Sequence, residues 1–114
     1  MPFTETLNDI ISKLPKAKGI IIADFEGECV QLSSRMDEHD LKVIGAYQVL
    51  HFGKISKNHS VTETFITKAD EMDIISMRID NDYYVSLVMQ KGSLLGRSEY
   101  VLKNSLKEIR ELMD

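Results

Sequence analysis

The chain has 114 residues, a formal charge of −4 and a single cysteine, with ordinary apolar and charged fractions. This is the length of one domain, residues 1–114, and enough chain to bury a core without disulfides or a structural metal. The acidic balance argues against nucleic-acid binding, which needs a basic surface, and the lone Cys29 excludes an intramolecular disulfide and any sign of an oxidising compartment.

The first fifteen residues carry Glu5 and Asp9 and lack the basic start and apolar run of a signal peptide. No stretch approaches bilayer-spanning length. A cytoplasmic protein with no membrane insertion is expected. Within Thr4 to Leu14, the residues Leu7, Ile10, Ile11 and Leu14 recur at helical spacing and share one face. Pro15 stops that helix. Gly19 to Phe25 reads as a strand, and the unbroken run Ile20-Ile21-Ile22-Ala23 predicts cover on both faces. Glu26-Gly27 signals a turn into a second strand, Glu28 to Ser33, so these two form an antiparallel hairpin.

Asp37 is placed to cap a long helix from Glu38 to about Ser56, with Glu38 and Asp40 in its first turn. Its apolar residues do not form one stripe. At about a hundred degrees per residue, Leu41, Ile44, Phe52 and Ile55 cluster on one side, and Val43, Ala46, Tyr47 and Leu50 on nearly the opposite side. A helix apolar on two sides must be buried twice. One side can cover the sheet, and a second copy of the chain is the simplest cover for the other.

Val61 to Lys68 alternates and is rich in threonine, which suits a half-exposed edge strand. Met72 to Ile79 follows, with Ile75, Met77 and Ile79 on one side. Asp80-Asn81-Asp82 is a hairpin turn. In Tyr83 to Met89, the residues Tyr83, Val85, Leu87 and Met89 oppose Tyr84, Ser86 and Val88. Gly92 breaks the pattern, and a last helix runs from about Leu95 to Met113. Leu95, Leu102, Leu106, Ile109 and Met113 share its inner face. The expected fold is α/β (α+β): a five-stranded antiparallel sheet sandwiched by helices, in the order α-β-β-α-β-β-β-α.

No chemical motif assembles. His39, His51 and His59 match no common ligand spacing, and Cys29 reads as a small buried thiol. The aspartates around Asp80 lack the glycine and glutamate of a calcium loop, since Val85 and Lys91 occupy those positions. Gly92 to Ser98 has three residues between glycines, and arginine where a phosphate-binding loop needs lysine. No nucleophile, base and oxyanion donor converge. The expectation is a non-catalytic protein with no cofactor and no metal.

The stretch Gly19-Ile20-Ile21-Ile22-Ala23-Asp24-Phe25-Glu26-Gly27, the following Glu28 to Ser33, the long helix around Gly45-Ala46-Tyr47 and the closing helix resemble the roadblock family of dynein light-chain-type domains. The related longin and profilin-like folds share much of the layout, and the helix before the first strand favours roadblock. The resemblance implies a homodimer in which the long helices pack antiparallel and the third strands join two sheets. It also implies service to small Ras-like GTPases, as scaffold or regulator. Bacterial members include the GTPase-activating partner of a gliding-motility polarity GTPase, and eukaryotic members serve dynein or a lysosomal scaffold.

On this reading the dimer interface comprises Val43, Ala46, Tyr47, Leu50, Val61, Thr62, Thr64, Phe65 and Ile66. Glu38, Lys42 and Lys54 are candidate contacts to a GTPase, whose GTP hydrolysis the dimer would stimulate by reshaping its switch segments. Two alternatives stand beside it. One is a structural adaptor or motor light chain that holds a peptide or helix. The other is a small-ligand sensor of profilin- or longin-like fold.

Overall fold

A computed structural model of the chain describes residues 2–55 and 64–113. The elements are α1 (Pro2–Ser12), β1 (Ala17–Asp24), β2 (Cys29–Ser34), α2 (Glu38–Ile55), β3 (Thr64–Lys68), β4 (Met72–Arg78), β5 (Tyr83–Gln90) and α3 (Leu95–Met113). The strands form one antiparallel sheet in the order β2-β1-β5-β4-β3. The expected α-β-β-α-β-β-β-α architecture is therefore the observed one.

The register explains the apolar run in β1. Ile20 pairs with Leu87, which pairs with Ile75, and Ile22 pairs with Val85, which pairs with Met77. All six face α1 and α3, where they join Leu7, Ile10, Leu102 and Ile109 in the largest core cluster. Ile21 and Ala23 point the other way, toward α2. A strand in mid-sheet with helices on both faces has no water-facing side.

Two glycines set how closely α2 lies on β1. A Cβ on Gly19 would sit 2.8 Å from Leu41 Cδ2, and one on Gly45 would sit 2.9 Å from Ile21 Cγ2. The strand thus yields space to a helix leucine, and the helix yields space to a strand isoleucine. At this close approach the Tyr84 hydroxyl donates to the Gly45 carbonyl at 2.6 Å. Burial, with the Asp24 carboxylate adding to it, pushes the Tyr84 phenol up to about 12, so the group stays a donor.

The ends of elements follow local hydrogen bonding. α1 ends two residues before the expected Leu14 because Lys13 and Leu14 donate to Ile10 and Ile11 in tighter i to i−3 bonds. Arg35 then caps the helix: its guanidinium donates to the carbonyls of Ile11, Leu14, Pro15 and Ala17 at 3.0 to 3.3 Å. These include orphan acceptors that a helix C-terminus leaves behind. β2 starts at Cys29 and not at Glu28, because Asp24 Oδ1 accepts from the amides of both Glu26 and Glu28 and holds Glu28 in the turn. Gly27, at φ +87, provides the left-handed residue of that turn. Asp37 caps α2 as its sequence position predicts, accepting from the Asp40 amide at 3.0 Å.

Candidate protein-docking surface

The sheet-facing stripe of α2 is Leu41, Gly45, Gln48 and Phe52, all buried. Leu41 packs with Ile21, Ile74 and Val88. Phe52 anchors an aromatic cluster, with its ring 4.7 Å from Phe65, 4.9 Å from Tyr84 and 5.5 Å from Phe25. The Arg78 guanidinium lies 4.5 Å from the Phe25 ring centre.

Gln48 is the residue on this stripe that apolar periodicity passes over. Its Oε1 accepts from Thr67 Oγ1 at 3.2 Å and from Ser76 Oγ at 3.4 Å, and Ser76 lies 2.8 Å from Ser86. Its Nε2 donates to the Ile44 carbonyl. Ser76 and Ser86 are paired across β4 and β5, so a hydrogen-bonded row runs under the helix. Every member has a partner, which a buried polar group requires.

The opposite side of α2 is bare. Val43 is 42%, Tyr47 62% and Leu50 59% exposed. His51, one turn after Tyr47, lies 5.3 Å from the Phe65 ring, so this apolar ridge leans toward β3. β3 is the last strand of the sheet and pairs only with β4 among the described residues. Its Thr64 and Ile66 are exposed. Thr64 and Ile66 pair with Met77 and Ile75 and so lie on the α1/α3 side of the sheet, while Phe65 and Thr67 face α2.

The other sheet edge differs. β2 carries a bulge: Ile22 pairs with Gln31 and Ala23 with Cys29, which leaves Val30 between them. A bulge twists an edge strand away from further pairing. β3 has regular register along all of its five residues and has no such block.

The remaining predicted residues are distributed as follows. Ala46 is half-buried against the Gly27 turn. Phe65 turns inward onto Phe52 and His51 while its neighbours Thr64 and Ile66 stay outside. Glu38 and Lys42 are exposed, and both act electrostatically on Cys29 in β2, so they occupy the flank of α2 away from the ridge. Lys54 belongs to the last turn of α2, while Val61, Thr62, His59 and the expected helix end at Ser56 lie outside the described residues.

Cys29 is half-buried and not fully buried, because β2 is a rim strand that α2 covers from one side. Burial raises its thiol pKa, Lys42 opposes that shift and Glu38 adds to it. Among the described residues no three His, Cys, Asp or Glu side chains converge as metal ligands. No described helix is long and apolar enough to cross a membrane. The surface offers apolar side chains, an open strand edge and flanking charges, which is what protein docking uses.

No family model and no curated protein sequence matches this chain. Solved structures do match. MglC from Myxococcus xanthus superposes with a TM-score of 0.73 at 16% identity, over 97% of this chain and 98% of that one. Myxococcus xanthus MglB gives a TM-score of 0.77 at 10% identity, over 99% and 95%. A Roadblock/LC7 domain from Streptomyces avermitilis gives 0.80 at 8% identity, over 96% of both chains. At such identities the likeness carries the three-dimensional arrangement alone. The chain has the Roadblock/LC7 fold.

Proposed function

We propose that this chain is a homodimeric regulator or scaffold for a small Ras-like GTPase, with no catalytic centre of its own. Two observations carry this reading: the exposed ridge of Val43, Tyr47 and Leu50 on α2, and the unpaired β3 edge of the sheet. Two copies related by a two-fold axis would lay ridge on ridge and pair β3 with β3, with Ala46, Thr64 and Phe65 at the margin. Tyr47 suits the centre of such a contact, having a large apolar body and a polar tip. The fold supports the reading: one solved relative is an MglB with a tetrameric arrangement, at a TM-score of 0.80 and 11% identity.

The GTPase would meet the helix side of the dimer, where Glu38 and Lys42 are exposed and Lys54 belongs to the last turn of α2. Hydrolysis would proceed on the GTPase's own residues. The dimer would act by binding the hydrolysis-competent arrangement of the switch segments more tightly than the others.

The test is a light-scattering mass, followed by capture of GTP-loaded and GDP-loaded Ras-like GTPases. The expected result is a dimer that prefers one nucleotide state. Tyr47→Asp should give a folded monomer, because the charge would be buried without a partner. A wild-type chain that remains monomeric at high concentration defeats the dimer. Capture indifferent to nucleotide defeats the regulator.

A structural adaptor that holds a peptide is the second reading. It is favoured by a shallow groove of about 410 Å³ beside the ridge, lined by Met36, Val43, Ile44 and Met72 with Lys18, His39, Asp40 and Glu71 at its rim. Peptide capture in place of GTPase capture would select it.

A further inference from the structure

A cleft of about 230 Å³ opens on the other side of the sheet, where α1 ends and α3 begins. Leu14, Pro15 and Met89 line it, with Leu94 at its lip. Leu14 and Met89 are 3% and 2% exposed, so the floor is fixed core, whereas Leu94 is 77% exposed. The two serine hydroxyls of the lining are already engaged. The Ser98 hydroxyl donates to the Leu94 carbonyl and the Ser93 hydroxyl to the Gln90 carbonyl.

Two cations, Lys16 and Arg97, complete the lining. Both are exposed, and neither forms an ion pair among the described residues. Arg97 stands in the first turn of α3, which contains no acidic residue. Cations are unfavourable at that end of a helix. Tyr100, 68% exposed and three residues further on, extends the surface along α3.

From the charge complementarity and the size of this cleft we infer that it docks an acidic segment of a partner protein, anchored by one large apolar side chain. The volume sets the anchor. Cavities of about 150 Å³ already hold a benzene ring, and pockets for drug-sized ligands start at roughly 300 Å³, so this space fits one side chain better than a cofactor. Lys16 and Arg97 would meet flanking carboxylates, with the arginine able to bind one in two-pronged fashion. The site is independent of the α2 ridge, since the sheet lies between them.

The experiment uses the full chain, labelled with nitrogen-15, and a fluorescein-tagged glutamate-rich peptide with one central phenylalanine. Saturable binding is expected that weakens as salt rises. Amide shifts should centre on Leu14, Leu94, Arg97 and Ser98. Arg97→Glu should weaken binding about tenfold and Leu94→Asp at least as much, and both positions are exposed enough for the fold to survive. Replacing the peptide's phenylalanine with alanine should abolish binding. No shifts at those amides with millimolar peptide would overturn the assignment. So would equal binding of the alanine peptide, stronger binding of a lysine-rich one, or preference for anionic vesicles over the peptide.

Discussion

The face of the sheet under α1 and α3 is built at its centre from Ile20, Ile22, Ile75, Met77, Val85 and Leu87, whereas the face under α2 has Ser76 and Ser86 at its centre, with Gln48 above them. The first face has two helices over it and is sealed by apolar contact. The second has one helix, which is held by the apolar packing of Leu41 and Phe52 together with hydrogen bonds and close approach at Gly19 and Gly45. Apolar burial is non-directional and tolerates several packings, whereas hydrogen bonds require one geometry. The difference teaches that directional bonds to the sheet fix the placement of α2 in addition to its apolar burial. Its outer side is consequently free to carry Val43, Tyr47 and Leu50 at a fixed height and angle.

Substitutions on the two faces should separate these modes of attachment. The largest loss is expected from Leu102→Ala in α3, which is fully buried. A cavity there should cost about 3 kcal/mol in chemical denaturation, as large-to-small core changes do. A loss under about 1 kcal/mol would mean that the α1–α3 face is loosely packed. Next comes Gln48→Ala, which leaves Thr67 and the Ser76–Ser86 pair short of an acceptor beneath the helix. About 2 kcal/mol is expected, the scale of an unsatisfied buried polar group. A neutral result would show that the polar row does not hold α2.

Smallest at neutral pH is Tyr84→Phe, which removes the bond to the Gly45 carbonyl for about 1 kcal/mol. This variant also sharpens the comparison through pH. The folded-state phenol is raised from 10 to about 12, so the native chain keeps its proton after the unfolded chain has lost its own. Stability should be level below pH 10 and fall as pH rises from there toward 12. Tyr84→Phe should remove that part of the alkaline loss. An unchanged alkaline profile in the variant would assign the loss to other groups.

Much of this architecture was legible without coordinates. The strand from Tyr83 to Met89 alternates its neighbours between faces as expected, with Val85, Leu87 and Met89 toward α1 and α3, and Tyr84 and Val88 toward α2. The two-sided character of α2 was also legible, since it needs only the angle between successive residues. Three features were not. Gln48 belongs to neither apolar side of α2, and only the structure shows Thr67 and Ser76 beneath it. Nothing local marks Arg35, which caps a helix that ends more than twenty residues earlier. Phe65 reads as part of a half-exposed edge strand, and only the structure shows that the pleat turns it toward Phe52.

What the sequence by itself determined is whatever depends on neighbours within one or two turns: helix and strand periods, the Asp37 cap, the Gly27 turn and the apolar ridge of α2. Tertiary structure decided what depends on segments far apart in the chain. The order β2-β1-β5-β4-β3 brings Gln48 over Ser76, leaves β3 at a regular edge, and sets Leu14 beside Leu94 to make a cleft. The physical reason is range. Backbone sterics and local hydrogen bonds act along the chain, whereas burial and charge complementarity act through space and exist only after the sheet has closed.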